Sequence, residues 1–410
     1  MTGESSLRVL VHLNSLQLGG TQINAVDLAA EMRGRGVKSI LIGARNTIPD
    51  GPSLIEIAAA HDMEISLYDP APAIFARARQ VTSFARRHHV DLVHVYGSWG
   101  GGARPTYWGP SRFARTPWVQ TVYEMSVSAK ILRHMPMIVG TGYQRDEQHD
   151  RPGRTILISP PVDLIENHPD VQEGLRFRRA QRIDDGSLLV IVSRLDASMK
   201  SVPAYAAIDA MRVLAPTGAN LAIVGTGDNV AAVQSRADAV NEEVGRGAVR
   251  LIGALADPRP AYAAADIVLG MGGSAARALA FAKPLVVQGE AGWSSLFEPS
   301  SAESLARSSF WSPDAVPDPA ERLAATLAPL LVDSERRNRL GIFGRSFAEE
   351  RFGLTAMADR LVDFYQTVRG EYTSRDWLAD LPLEGRTLSA KVARMGRHAL
   401  RLSPTSEKGA

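Results

Sequence analysis

The 410-residue chain carries 46 Lys and Arg against 44 Asp and Glu, a formal net charge of +2, and so balanced a total provides no global field for nucleic acid. It contains no cysteine, which excludes disulfides and thiolate metal sites and suits a reducing cytosol. With 45% hydrophobic and 22% charged residues, it has the make-up of a globular protein long enough for two domains with a core each.

The opening MTGESSLRVLVHL is polar, and its single apolar run is one strand long, shorter than a signal peptide needs. No stretch reaches the roughly 18 apolar residues of a membrane span. A cytoplasmic location is therefore expected.

The spacing of apolar residues then defines the elements. RVLVHL (Arg8–Leu13), SILIG (Ser39–Gly43), DLVHVY (Asp91–Tyr96) and WVQTVY (Trp118–Tyr123) read as buried strands, with helices over Thr21–Gly34 and Pro72–His88. Strands alternating with helices in this way imply a parallel sheet covered on both faces. ISPPVDLIENHPDVQE (Ile158–Glu173), rich in proline and acids, reads as a linker. Five more strands are expected beyond it: LLVIVSRL (Leu188–Leu195), NLAIVG (Asn220–Gly225), VRLIG (Val249–Gly253), DIVLG (Asp266–Gly270) and PLVVQG (Pro284–Gly289). The pattern predicts two Rossmann-like, doubly wound α/β domains that face each other across a cleft, with ligands at the carboxyl ends of the strands.

The predicted boundaries are 1–165 for an acceptor domain, 166–352 for a nucleotide-sugar domain, 353–370 for a closing helix and 371–410 for a basic tail. Leu354, Met357, Ala358, Leu361, Phe364, Tyr365 and Val368 form one face of the closing helix, and Gly370 is placed to cap it. In the tail, Leu388, Val392, Met395, Ala399 and Leu402 form a helical stripe flanked by Arg386, Lys391, Arg394, Arg397 and Arg401. That is the pattern of an interfacial membrane helix. A solvated tail or a helix docked on the body is the competing reading.

Four polar sites sit at strand ends. In LQLGGTQ, Gly19 and Gly20 follow the first strand and Thr21 is placed to cap the next helix. Backbone N–H groups could there meet anionic oxygen, although a plain tight turn looks the same. In VSRLDASMK, Arg194 and Lys200 can converge on a diphosphate, the first as a planar fork and the second as a point charge; ordinary surface cations are the alternative. IVGTGD places Gly225 and Gly227 in a common turn. VLGMGGSAARALAFAKPLVV brings Gly270, Gly272, Gly273 and a capping Ser274 together, with no Asp or Glu in the stretch. Phosphate binding explains that glycine cluster; close packing of the following helix is the competing explanation.

The ordered set VSRLDASMK, LAIVGTGD, VRLIGALADPRPAYAAADIVL and ARALAFAKPLVV resembles the family 4 glycosyltransferases, and the resemblance covers roughly residues 7–370. It implies the GT-B fold and a nucleotide-diphosphate sugar bound against Arg194 and Lys200. It also implies a base near Val249–Gly253 (Ile252 among them) and a glycine loop at Gly19–Thr21 over the phosphates. Three features depart from the family pattern. The usual pair of glutamates is missing, and Arg277 stands where the second belongs. Tyr123-Glu124 replaces the usual His-Asp, and Pro160-Pro161 replaces the usual Asn-Gly. Glu290 in QGEAGWSSLFEP is the candidate replacement hydroxyl acceptor, with an exposed, idle Glu as the alternative. Arg277, read as lying early in a helix where the dipole disfavours a cation, is explained either by a bound anion or by a salt bridge to Glu290 or Glu298.

No Asp-x-Asp metal signature occurs in the chain, so metal-independent transfer without a cofactor is expected, the nucleotide sugar being a co-substrate. Arg194 and Lys200 would neutralise the leaving diphosphate. The resemblance implies retention of anomeric configuration. Tyr96, Tyr123 and Glu124 are the candidate acceptor side, for a glycan, lipid-linked or small-molecule hydroxyl. Two further readings stay open: a non-catalytic GT-B protein that binds nucleotide or glycan as a partner subunit, and a GT-B epimerase, for which no suitably placed acids are identified.

Overall fold

The computed structural model describes residues 6–49, 51, 53–97, 99, 102–124, 126–183, 186–196, 201–255, 257–371, 373, 378, 381–386 and 389. Lys200 and the hydrophobic stripe of the tail lie outside them. The chain divides into two compact units, Met1–Gly140 with Gln144–Ile158 and Ala358–Ala410, and Thr141–Tyr143 with Ser159–Met357.

The first unit is built on a seven-stranded sheet. Its strands are β1 (Leu7–Leu13), β2 (Val37–Ala44), β3 (Ile65–Tyr68), β4 (Leu92–Tyr96), β5 (Trp118–Val122), β6 (Met137–Val139) and β7 (Thr155–Leu157). They lie in the order β3-β2-β1-β4-β5-β6-β7, all parallel. β4 and β5 are buried at every position, as continuous apolar runs in a sheet covered on both faces should be. The helices are α1 (Gly20–Glu31), α2 (Leu54–Ala60), α3 (Ile74–Arg87), α4 (Ala103–Thr106), which continues as a π-helical segment over Tyr107–Phe113, and α5 (Gly142–Glu147). Ser53 and Glu56 close a capping box on α2.

The second unit holds β8 (Leu188–Val192), β9 (Asn220–Val224), β10 (Val249–Gly253), β11 (Ile267–Gly270), β12 (Leu285–Gln288) and β13 (Ser294–Leu296). Their order is β10-β9-β8-β11-β12-β13, with only β13 antiparallel. Its helices are α6 (Val171–Ala180), α7 (Ser201–Leu214), α8 (Val230–Val244), α9 (Arg259–Ala264), α10 (Gly273–Ala280), α11 (Ala302–Arg307), α12 (Pro319–Val332) and α13 (Ser334–Arg351). Period-two alternation sorts the strands between two cores. Leu188, Val190, Ala222 and Val224 pack with Tyr262, Phe281 and Phe297 on one face. Leu189, Ile191, Leu221 and Ile223 pack with Ile208, Met211 and Leu327 on the other.

Several expectations need correction. β3, β6, β7 and β13 were not anticipated, and β8 stops at Val192, so Ser193–Leu195 belong to a loop. The helix α14 (Leu354–Glu371) runs through Gly370, which is therefore a helical residue and no cap.

Two histidines are sealed into the first unit. His94 on β4 hydrogen-bonds through Nδ1 with the Tyr365 hydroxyl (2.6 Å) and through Nε2 with Thr121 Oγ1 (2.7 Å). His12 on β1 bonds with the Tyr68 hydroxyl at 2.9 Å. Burial lowers His94 to about 3 and His12 to about 4. Both rings stay neutral in the fold, whereas an unfolded chain protonates them near 6.5. The unfolded state thus binds more protons, so this stability is complete above about pH 6.5 and is lost as pH falls toward the folded values. Urea unfolding between about pH 7 and pH 5 should show stability falling by up to about 1.4 kcal/mol per pH unit for each ring. His94→Gln should make the slope shallower. A flat profile, or an unchanged slope in the variant, would contradict the assignment.

Candidate functional site

In an open parallel sheet, the natural crevice lies where strands on either side of one strand connect in opposite directions. In the second unit this is between β8 and β11. A small cavity occurs there, lined by Ile191, Ser193, Leu269, Met271, Ser274 and Gln288 among others. Beside it, the loop after β8 presents Arg194 with its side chain 83% exposed and only a 3.8 Å approach to Asp196 Oδ2. A cation so placed is available to an anionic ligand.

The glycines of this unit divide into two kinds. A side chain at Gly225 would lie 1.8 Å from the Ser193 carbonyl oxygen, and one at Gly227 would lie 2.3 Å from that of Leu195. Gly225 also has φ +147°, a backbone state that L residues rarely adopt. These two glycines let the loop after β9 lie directly against the loop that carries Arg194, joined by Ser193 N–H to Val224 O (3.0 Å) and Leu195 N–H to Thr226 O (2.9 Å). Gly272 and Gly273 differ, because nothing lies within 4 Å of a side chain built on either. Gly272 has φ +57° and precedes the first turn of α10 with no side-chain cap. Open space thus lies beside the start of α10, where the first N–H groups of a helix have no partner within it; the Gly272 N–H itself is donated to Phe310 O at 3.0 Å.

Ser274 does not cap this helix as expected. It lies inside the first turn, where its hydroxyl accepts from Met271 N–H (3.2 Å) and donates to Met271 O (3.0 Å). Thr21 is likewise inside α1, whose cap position is held by Gly19. Side chains at Gly19 or Gly20 would meet nothing within 4 Å, so this turn too is open.

The reading of Arg277 changes most. It sits in the last turn of α10, where the helix dipole favours a cation, and not early in the helix as expected. The salt bridge weighed for it is also absent among the described residues. Glu290 accepts from the Trp311 indole N–H at 3.3 Å, and Glu298 faces Arg336 at 3.5 Å. Arg277 is exposed, near enough to Asp257 to help lower that carboxyl, whose first cause is its bond to Arg259. Ile252 on β10 packs on the second unit's core, next to Gly253 at φ +81°.

In the first unit, Tyr96 is a core residue, 1% exposed, its ring 4.2 Å from that of His94. Burial raises its hydroxyl well above the ordinary value. Tyr123 and Glu124 directly follow β5, so they lie at the carboxyl end of the sheet. Burial also raises the Tyr123 hydroxyl. One carboxylate oxygen of Glu124 is buried without a hydrogen-bond partner, while the Glu124 backbone carbonyl accepts from the Gln144 amide. Ser193, Met271 and Gln288 were missed as cavity residues. Gln288 had a readable signal, a polar side chain closing an apolar run, and it is 4% exposed with its amide donated to Pro203 O at 3.0 Å. Among the described residues no cluster of His, Asp and Glu is arranged to hold a metal ion.

Replacing Gly225 with Ala should lower stability by about 1–3 kcal/mol from backbone strain alone and loosen the contact with the Arg194 loop. Hydrogen exchange should then accelerate at the amides of Ser193 and Leu195. Unchanged exchange at both would show that the loops are not held by this contact.

No protein-family model and no curated protein matches the chain in sequence. Solved structures do match in shape. A glycosyltransferase from Rickettsia africae ESF-5 superposes with a TM-score of 0.69 at 13% identity, covering 89% of this chain and 99% of that one. Anabaena Alr3699/HepE, solved in complex with UDP, gives 0.67 at 16% identity over 88% and 100%. A UDP-GlcNAc 2-epimerase from Neisseria meningitidis, bound to UDP-GlcNAc, gives 0.58 at 11% identity over 88% and 100%. The two parallel-dominated α/β units therefore have the Rossmann-like architecture of the GT-B fold.

Proposed function

We propose that this chain is a glycosyltransferase that moves a sugar, a hexose on this reading, from a UDP-sugar to a hydroxyl acceptor. The observation that carries the reading is the set of groups at the β8–β11 crevice: the exposed Arg194 beside a helix start opened by unfilled Gly272 and Gly273. Guanidinium and free backbone N–H groups are what a diphosphate selects. UDP as the nucleotide is supported by structural neighbours solved with UDP and with UDP-glucose.

In the proposed reaction the bond from the anomeric carbon to the diphosphate oxygen breaks and the acceptor oxygen takes its place. Arg194 and Lys200 stabilise the charge gathering on the leaving diphosphate, which accepts the hydroxyl proton. This course needs no metal and no cofactor, and it retains the anomeric configuration. Gly19–Thr21, Ile252, Arg277 and Glu290 remain proposed donor contacts. Tyr123 and Glu124 are the proposed acceptor groups, for a glycan, lipid-linked or small-molecule hydroxyl in polysaccharide, glycolipid or secondary-metabolite synthesis. A nucleotide-binding partner subunit is the second reading, favoured by the lack of any acidic residue in the first turn of α10.

The test is calorimetric titration with UDP, GDP, ADP and dTDP without added metal, followed by product analysis with UDP-sugars. UDP should bind, and Arg194→Ala should weaken it about 10- to 100-fold, the weight of a charge-assisted hydrogen bond. Failure of all four nucleotides to bind would overturn the donor site. UDP binding without release of UDP from any sugar donor would favour the partner subunit.

A further inference from the structure

The first unit has a surface that the donor site does not use. Residues 70–123 contain seven arginines and a single acid, Asp91. Asp91 is committed elsewhere, accepting from Arg8 N–H at 2.9 Å and facing Arg369 at 3.5 Å. On α3, Phe75, Arg79, Ser83 and Arg86 are exposed at spacings of four, four and three, which align them in one stripe. The helical segment from α4 to Phe113 packs beside α3 with almost no gap, since a side chain at Gly109 would lie 2.2 Å from the Ala78 carbonyl oxygen.

This packing gathers aromatic rings at the surface. Trp108 lies between Phe75 (6.1 Å) and Phe113 (5.8 Å), and the Arg112 guanidinium covers the Trp108 ring at 4.3 Å. Phe75 is 56% and Phe113 62% exposed. Among the described residues, Arg79, Arg86, Arg87 and Arg115 form no ion pair within 4 Å. The carboxylate seated on this face, Glu384, belongs to the C-terminal segment and is held by Arg112 and by the Tyr107 hydroxyl (3.2 Å). Leu383 packs on the same core cluster as Trp108, and Leu381 beside it is 42% exposed. Residues 381–386 are thus docked on this face.

We propose that this face, formed by α3, Trp108–Phe113 and the docked residues 381–386, binds the surface of an anionic lipid bilayer. Unpaired arginines supply attraction to acidic headgroups, and the two exposed phenylalanines supply apolar area to enter the acyl boundary. A nucleic acid would also meet arginines and rings, but it offers nothing to the exposed Leu381. The proposal is independent of the donor reading.

The test is co-sedimentation of the full chain with vesicles of phosphatidylcholine alone and with vesicles containing equal parts of phosphatidylglycerol. Binding should require phosphatidylglycerol, weaken with added salt, and fall about tenfold in the double variant Phe75→Ser, Phe113→Ser. Both side chains are exposed, so the variant should keep its wild-type circular dichroism and melting temperature. A second variant, Arg79→Gln with Arg86→Gln and Arg115→Gln, should lose binding in the same way. A third, with Lys391, Arg394, Arg397 and Arg401 changed to Gln, should bind more weakly and remain sensitive to the phenylalanine changes. Equal binding to neutral vesicles, wild-type binding by both face variants, or binding to a single-stranded RNA in place of vesicles would each overturn the proposal.

Discussion

The loops after β8 and β9 lie against each other with no side chain between them, and the geometry of the second unit's carboxyl edge depends on that contact. Gly225 and Gly227 are the residues that permit it, because a Cβ at either would sit inside a backbone carbonyl of Ser193 or Leu195. The consequence reaches Arg194. A long, exposed, charged side chain has many rotamers and little to hold it, so its usefulness depends on how firmly its backbone is fixed. Here the fixing comes from hydrogen bonds on both sides of Arg194, from Ser193 and from Leu195. The other half of the crevice, at Gly272 and Gly273, uses the same residue type with the opposite result, since nothing lies within 4 Å of a side chain built on either.

The first unit is secured differently. His94 sits between two hydroxyls, one from β5 and one from α14, so a sheet strand and a helix distant in sequence are tied through a single imidazole. A buried polar trio is favourable only when each member is satisfied, and both ring nitrogens of His94 are. His12 is satisfied on one side only, with Nδ1 buried and unpartnered. Gly102 lies so near the His12 ring that a Cβ there would overlap it, at 1.6 Å. The carboxyl end of β1 is therefore enclosed by a glycine, and its polar group cannot simply be replaced by a larger one.

Most of the architecture was legible in the chain. The long apolar strands, such as LLVIV and LVHVY, announced themselves because buried parallel strands are apolar at every position. The strands that escaped notice are three or four residues long, too short for a run to stand out, and β13 runs against the sheet. Element ends were the weaker part. Thr21 and Ser274 are good capping types, but each lies inside its helix because a glycine before it already holds the cap position. The same one-turn difference reverses the reading of Arg277: α10 is only eight residues long, so a residue taken as early in the helix lies in its last turn. The roles of Gly225 and Gly227 were invisible because they depend on a carbonyl some thirty residues away in sequence.

Parallel sheets assemble from partners far apart in sequence, which slows folding and leaves strands waiting for their neighbours. An outer strand with a long row of free N–H and C=O groups would recruit other chains during that delay. Three of the four outer strands, β3, β7 and β13, span only three or four residues, and β10 carries an arginine, Arg250, at its second position. The sheets thus end in strands that offer a passing molecule few bonds to copy, and solubility during synthesis is built into the lengths of the edges as much as into the charges on the surface.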